Sequence, residues 1–231
     1  MLTILTGRKG YEFARKHNPV VVQYMTGNDP RDNTEPFYSG PFDGSKPPCV
    51  HYAVKRDKVR GYTCAWFHWY HRVDWGGAAD FLGGGIDKHP GDFEGCCICV
   101  PDDDREPTHI FTRSHNHILH SYGNRFYGVD WFTLESKGHG CDWLMSSDRN
   151  FQHGAVNSHV YPNLPLVPLY DESGEYSNVA KMMQHQFATW GTVDWMDQYE
   201  DMDLRGKRIE HKGDYWNDPL ALVEKMGRQY P

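Results

Sequence analysis

The chain has 231 residues, 39% of them hydrophobic and 14% aromatic, a length at which an all-β protein commonly stays a single domain. Lys and Arg total 24 against 31 Asp and Glu, so a formal charge of -7 supplies no positive field for a polyanion, and nucleic acid is not an expected partner. With 8 tryptophans and 14 tyrosines, the composition favours pleated, half-buried surfaces over a leucine-rich bundle.

The expected fold is therefore mainly β: one antiparallel β-sandwich domain over 1–231, with a few peripheral helices including one at the C-terminus. Residues 15–145 form its core and 146–231 a loop-rich, helical part packed on it. The opening "MLTILTGRKGYEF" lacks the charged lead, long apolar core and cleavage site of a signal peptide. The chain as it stands reads as cytoplasmic, or as secreted if a signal has been removed. No run of apolar residues is long enough to span a bilayer, so any membrane contact is expected to be peripheral.

In chain order, "NPVVVQYM" is a β-branched strand that enters a long turn-rich connection. "CVHYAVK" (49–55) and "YTCAWFHWYHRVDW" flank a turn at "RDKVRG" and form a core hairpin. The glycine-rich "GGAADFLGGGIDKHPG" leads to a strand at "FEGCCICVP". After a turn at "DDDREP" the expected returning strand is "THIFTRSHNHILH". "GVDWFTLES" (128–136) is a further strand, "KGHGCDWLMSS" a sharp turn, and "VYPNLPLVPLYDESGEY" an extended segment against the sandwich. A helix is predicted over 177–190, with Ser177 as N-cap and Val179, Met182, Met183 and Phe187 on one face. "NDPLALVEKMGRQYP" is a second helix, capped by Asp218, with Pro219 at its first position and Gly227 ending it.

The six cysteines, Cys49, Cys64, Cys96, Cys97, Cys99 and Cys141, show no C-x-x-C zinc pattern. Buried, reduced thiols are the expected state, with a bridge such as Cys64 to Cys141 as the alternative.

Chemistry concentrates in "KHPGDFEGCCICVP". On a strand, Asp92 and Glu94 share a face with Cys96, Ile98 and Val100, and His89 turns in from the preceding loop. Two close carboxylates repel unless a cation neutralises them. Asp74 ends the aromatic strand nearby. Arg113, His115 and His117 form a row on the expected returning strand, and Glu135 and His139 follow in "ESKGHG". Mixed oxygen and imidazole donors suit Mg²⁺, Ca²⁺ or Mn²⁺, with Zn²⁺ as a further option. The competing reading makes Asp92 a turn cap, Glu94 a partner of Arg113 and the histidines packing residues. No nucleophile elbow, phosphate loop or dinucleotide fingerprint is present.

The order "YTCAWFHWYHRVDW", "HPGDFEGCCICV", "FTRSHNH" and "LESKGHGCDW" resembles the vacuolar protein sorting-associated protein 62 family, which carries H-E-G-D-W-E after an aromatic strand. A more distant similarity is to the microbial necrosis-inducing cytolysins, with G-H-R-H-D-W-E. Phe93 stands in place of the family tryptophan and Pro90 in place of the glutamate. The resemblance implies a β-sandwich with a divalent cation at one end. Asp74, His89, Asp92 and Glu94 would be its metal residues, and the ligand a carbohydrate or glycolipid head group.

Three functional readings follow. In the first, the cation docks sugar hydroxyls while Trp75, Trp131 and Trp143 stack on sugar faces. In the second, a metal-dependent hydrolase or lyase acts on a carbohydrate or phosphoester. His115, His117 or His139 would then be the acid or base, and Arg113 would steady negative charge. A cation that only staples loops is the third.

Overall fold

The computed structural model describes residues 2–25, 49–74, 89–114, 117–123, 131–134, 141–143, 157–181, 201–202, 208–209 and 214–226. The described chain is mainly strands in mostly antiparallel sheets, with few helices and no closed barrel. It runs through β1 (Thr3–Ile4), α1 (Gly7–Lys16), β2 (Val20–Met25), β3 (Val50–Asp57), β4 (Tyr62–Asp74), β5 (His89–Pro101), β6 (Thr108–Ser114) and β7 (His117–Gly123). Next come β8 (Trp131–Leu134), β9 (Cys141–Trp143), β10 (Asn157–Tyr161) and β11 (Leu166–Pro168). The short β12 (Asp201–Met202) and β13 (Arg208–Ile209) precede α2 (Asp214–Asn217) and α3 (Pro219–Met226).

The larger sheet has the order β1-β3-β4-β5-β6-β7, and β11 lies parallel to β3 on the edge it shares with β1. A second sheet has the order β10-β2-β8-β9, in which β2 and β8 are parallel. The two pack face to face. Val21 of β2 and Ala14 of α1 join Val54, Phe67, Trp69, Ile98 and Ile110 of the larger sheet in one buried cluster.

From Tyr62 to Trp69, β4 is buried on both faces, as its near-continuous run of large apolar residues requires. Trp66 points away from the second sheet, with Cys97, Cys99 and Phe111, and is covered by Leu169, Ala180, Tyr215, Trp216, Leu220 and Leu222. The chain after β10 thus supplies a third layer. Trp66 Nε1 donates to the Tyr215 carbonyl at 2.9 Å, and Lys55 Nζ to the Trp216 carbonyl at 2.6 Å. These bonds satisfy polar groups that the layer would otherwise bury unpaired.

Local signals behave as the sequence predicts at two helix starts. The Ser177 hydroxyl accepts the Ala180 N–H at 3.2 Å, with helical backbone beginning at residue 178. Only residues up to 181 of that helix are described, so Met182, Met183 and Phe187 lie outside the described residues. Asp218 caps α3 through the Ala221 N–H at 3.3 Å, with Pro219 at the first position; Gly227 lies outside the described residues.

Three expectations are corrected. "THIFTRSHNHILH" is not one strand: Ser114 is the register partner of His117, so the chain reverses between β6 and β7. The row Arg113, His115, His117 is therefore broken. The "CDW" of the expected sharp turn is strand β9, paired with β8. Finally, Cys64 and Cys99 form a disulfide, because the β4–β5 register makes them direct partners with Cα atoms 4.0 Å apart. Cys49, Cys96 and Cys97 are buried and take no part in that bridge.

Candidate functional site

The β4–β5 hairpin carries the residues singled out in "HPGDFE". Its register is constant from Tyr62↔Pro101 through Trp69↔Glu94 and His71↔Asp92 to Val73↔Pro90 and Asp74↔His89. His89 and Pro90 are thus inside the strand rather than in a loop before it. The histidine that the sequence reading missed is His71, partner of Asp92. It could have been found by pairing the two aromatic-rich strands directly, instead of pairing "GCCICV" only with the strand that follows.

Register also divides the four expected metal residues into two groups. Asp74 and His89 oppose each other at the end of the ladder. Asp92, with Glu94 two residues further along β5, stands three rungs away, about 10 Å along the strand. For Asp74, His89, Asp92 and Glu94 the described placement is that of the backbone. Their chemistry fits a hard divalent cation, since carboxylate oxygens predominate and imidazole is available from His71 and His89. Among the described residues, no group of three or more His, Cys, Asp and Glu side chains is arranged to hold a metal ion.

The hairpin's position is fixed by its buried half. Trp69 is fully buried, and at Gly95, beside Glu94, the ring of His68 and the Phe67 carbonyl occupy the space a side chain would need. His68 shares a hydrogen bond of 3.3 Å with the Tyr215 hydroxyl of the covering layer. Thus glycine at 95 lets an imidazole lie across the sheet immediately next to the carboxylate-bearing segment.

Of the residues expected in an enzymatic site, Arg113 pairs with Gly95 and His117 opens β7 opposite Ser114. That places His117 two strands from Glu94, about 10 Å between backbones. His115, His139 and Trp75 lie outside the described residues. Trp131 begins β8 opposite Val20, and Trp143 ends β9 opposite Phe132, both in the second sheet. Backbone placement therefore puts these two tryptophans on a different sheet from the β4–β5 ladder.

Two further polar clusters were not anticipated. His109 Nδ1 and His120 Nε2 lie 3.1 Å apart between β6 and β7. Burial lowers the pKa of both imidazoles to about 4, and for His120 the neighbouring His109 adds to the effect. Lys55 Nζ lies 4.0 Å from the Trp216 ring centroid and 4.9 Å from that of Trp66. Burial pulls its pKa down to about 7, with the neighbouring Cys97 acting in the opposite direction. No described helix is long and apolar enough to cross a membrane. In comparisons with known proteins, no family model, curated protein or solved structure matches the chain.

Proposed function

We propose that this protein holds a divalent cation on the β4–β5 hairpin and uses it to recognise a carbohydrate or glycolipid head group. The observation that carries the reading is the ladder itself. From Trp69↔Glu94 to His71↔Asp92 it gathers Asp92, Glu94 and His71 within a few rungs, whereas Asp74 and His89 oppose each other three rungs further on, at positions that strand alternation assigns to the other face. Like-charged carboxylates so close along one hairpin are costly without a counter-ion, and the oxygen-rich set suits Mg²⁺, Ca²⁺ or Mn²⁺ before Zn²⁺. The resemblance of "HPGDFE" to the sorting-protein and cytolysin motifs supports the same reading. When bound, the ion would supply open coordination positions for sugar hydroxyls.

The test is elemental mass spectrometry on protein purified without chelator, beside an Asp92→Ala/Glu94→Ala variant. One equivalent of metal, lost in the variant, together with glycan binding that chelator removes, is the expected outcome. Absence of metal in both proteins, even after soaking in each cation, would refute it. Hydrolysis of a carbohydrate or phosphoester is the second reading, favoured by the two-strand separation of His117 from Glu94. Turnover by the metal-loaded protein, lost in His117→Ala with metal retained, would put it first.

A further inference from the structure

The face of the larger sheet turned away from the second sheet carries a cluster of three cysteines and one lysine. Register lines up Lys55 of β3, Cys64 of β4 and Cys99 of β5 as successive partners, and Cys97 follows two residues from Cys99 on the same face. Cys64 and Cys99 form the bridge. The Cys97 sulfur lies 3.7 Å from that of Cys99, so the two are in contact. All three cysteines are fully buried in one cluster with Trp66, Tyr215 and Trp216, and an external thiol does not reach the bridge in the fold.

A thiol beside a disulfide exchanges with it once the thiol loses its proton. Burial pushes the Cys97 thiol well up and works against that loss, whereas the Lys55 ammonium pulls it back. Lys55 is 5% exposed, held by the Trp216 carbonyl and the ring faces of Trp66 and Trp216. With its pKa lowered to about 7 by burial, its amine is largely neutral above that pH and can accept a proton. The product of exchange also fits the strand: Cα atoms two residues apart are about 6.6 Å from each other, within the span of a disulfide.

We infer that Cys97 exchanges with the Cys64–Cys99 bridge inside the fold, with Lys55 carrying the proton between the entering and the leaving sulfur. Cys97 S–H gives its proton to the Lys55 amine, and the thiolate attacks Cys99 Sγ. The Cys97–Cys99 bond forms as Cys64–Cys99 breaks; Cys64 leaves as a thiolate and takes the proton from Lys55, its partner across β3 and β4. One disulfide and one thiol stand on each side, so no oxidant or reductant is consumed. The step moves the covalent tie from between β4 and β5 to within β5, and it does not depend on the metal reading.

In the test, fully reduced protein is oxidised with one equivalent of diamide at pH 8, quenched in acid at intervals, unfolded, labelled with N-ethylmaleimide and digested with trypsin. The Cys64–Cys99 bridge links peptides 61–72 and 89–105, whereas the exchanged form leaves Cys64 labelled and closes a bridge within 89–105. Both forms should appear in the wild type and interconvert to a constant ratio, and Cys97→Ser should show the first alone. Lys55→Met should slow the interconversion by about 100-fold. Lys55→Arg keeps a cation on the ring faces but releases no proton, so it should be equally slow, whereas a merely structural role would be rescued. Cys64–Cys99 as the sole bridge at every time in the wild type, an internal bridge that survives Cys97→Ser, or a wild-type rate in either Lys55 variant would each overturn the assignment. The first two of these outcomes are read without any lysine variant having to fold.

Discussion

A Cβ built at Gly95 would overlap the Phe67 carbonyl oxygen and the His68 ring. The second of these could swing aside only by breaking the contact between His68 and the Tyr215 hydroxyl, and the first is backbone held in the β3–β4–β5 ladder. Overpacking of this kind costs about 1–3 kcal/mol, and a backbone obstacle puts Gly95→Ala near the upper end. Urea unfolding should show a lower midpoint at an unchanged slope. An unchanged midpoint would mean that His68 does not lie across the strand. The residue matters beyond stability because it adjoins Glu94. A shift of β5 away from β4 would separate Asp92 and Glu94 from His71 across the candidate ladder, so the same variant should also lose metal affinity.

At the scale of elements, the covering layer is held by few but specific ties. Asp218 both caps α3 and accepts two bonds, at 2.5 and 2.7 Å, from the Arg60 guanidinium in the β3–β4 turn. Replacing it with alanine removes a cap, about 1 kcal/mol, and a partly exposed ion pair, up to about 1 kcal/mol. Asp218→Asn retains an acceptor for the cap and should recover roughly half of the loss in thermal or urea unfolding. Equal losses in the two variants would assign the whole effect to the ion pair.

Such capping signals were legible in the sequence because they are local: Ser177 and Asp218 announce their helices within three residues. What was illegible is either weakly coded or non-local. Helix α1 has glycine at two positions, and Thr6 makes no side-chain cap, so its formation depends on burying Gly10 and Ala14. The reversal between Ser114 and His117 falls where neither glycine nor proline marks a turn. The Cys64–Cys99 bridge and the pairing of His71 with Asp92 both follow from one fact, the β4–β5 register across an intervening 14 residues, which no local pattern encodes. The candidate carboxylates were legible as a motif, whereas their partners were not.

For the whole molecule, the buried imidazoles set the acid response. Burial lowers the pKa of His17, His109 and His120 from the ordinary 6.5 to about 4, with Lys16 adding to the effect at His17. These groups stay neutral in the fold while the unfolded chain takes up protons as the pH drops below 6.5. Their contribution is therefore fully present above pH 6.5 and is lost progressively down to about 4. Carboxylates held low, such as Asp218 beside Arg60, act in a separate window below their usual 3.8, where acid protonates the unfolded chain first. Stability measured by urea unfolding should thus decline between pH 6.5 and 4, before the carboxylate window is reached. The decline is steep because up to three protons are taken up on unfolding. His120→Phe retains an aromatic ring for the stack on Phe111 and removes one of those protons, and it also frees His109 from its hydrogen-bonded neighbour. The slope in that range should fall by about a third or more. A variant with the wild-type slope would show that the His109–His120 pair already holds one proton in the fold and so takes up only one more on unfolding.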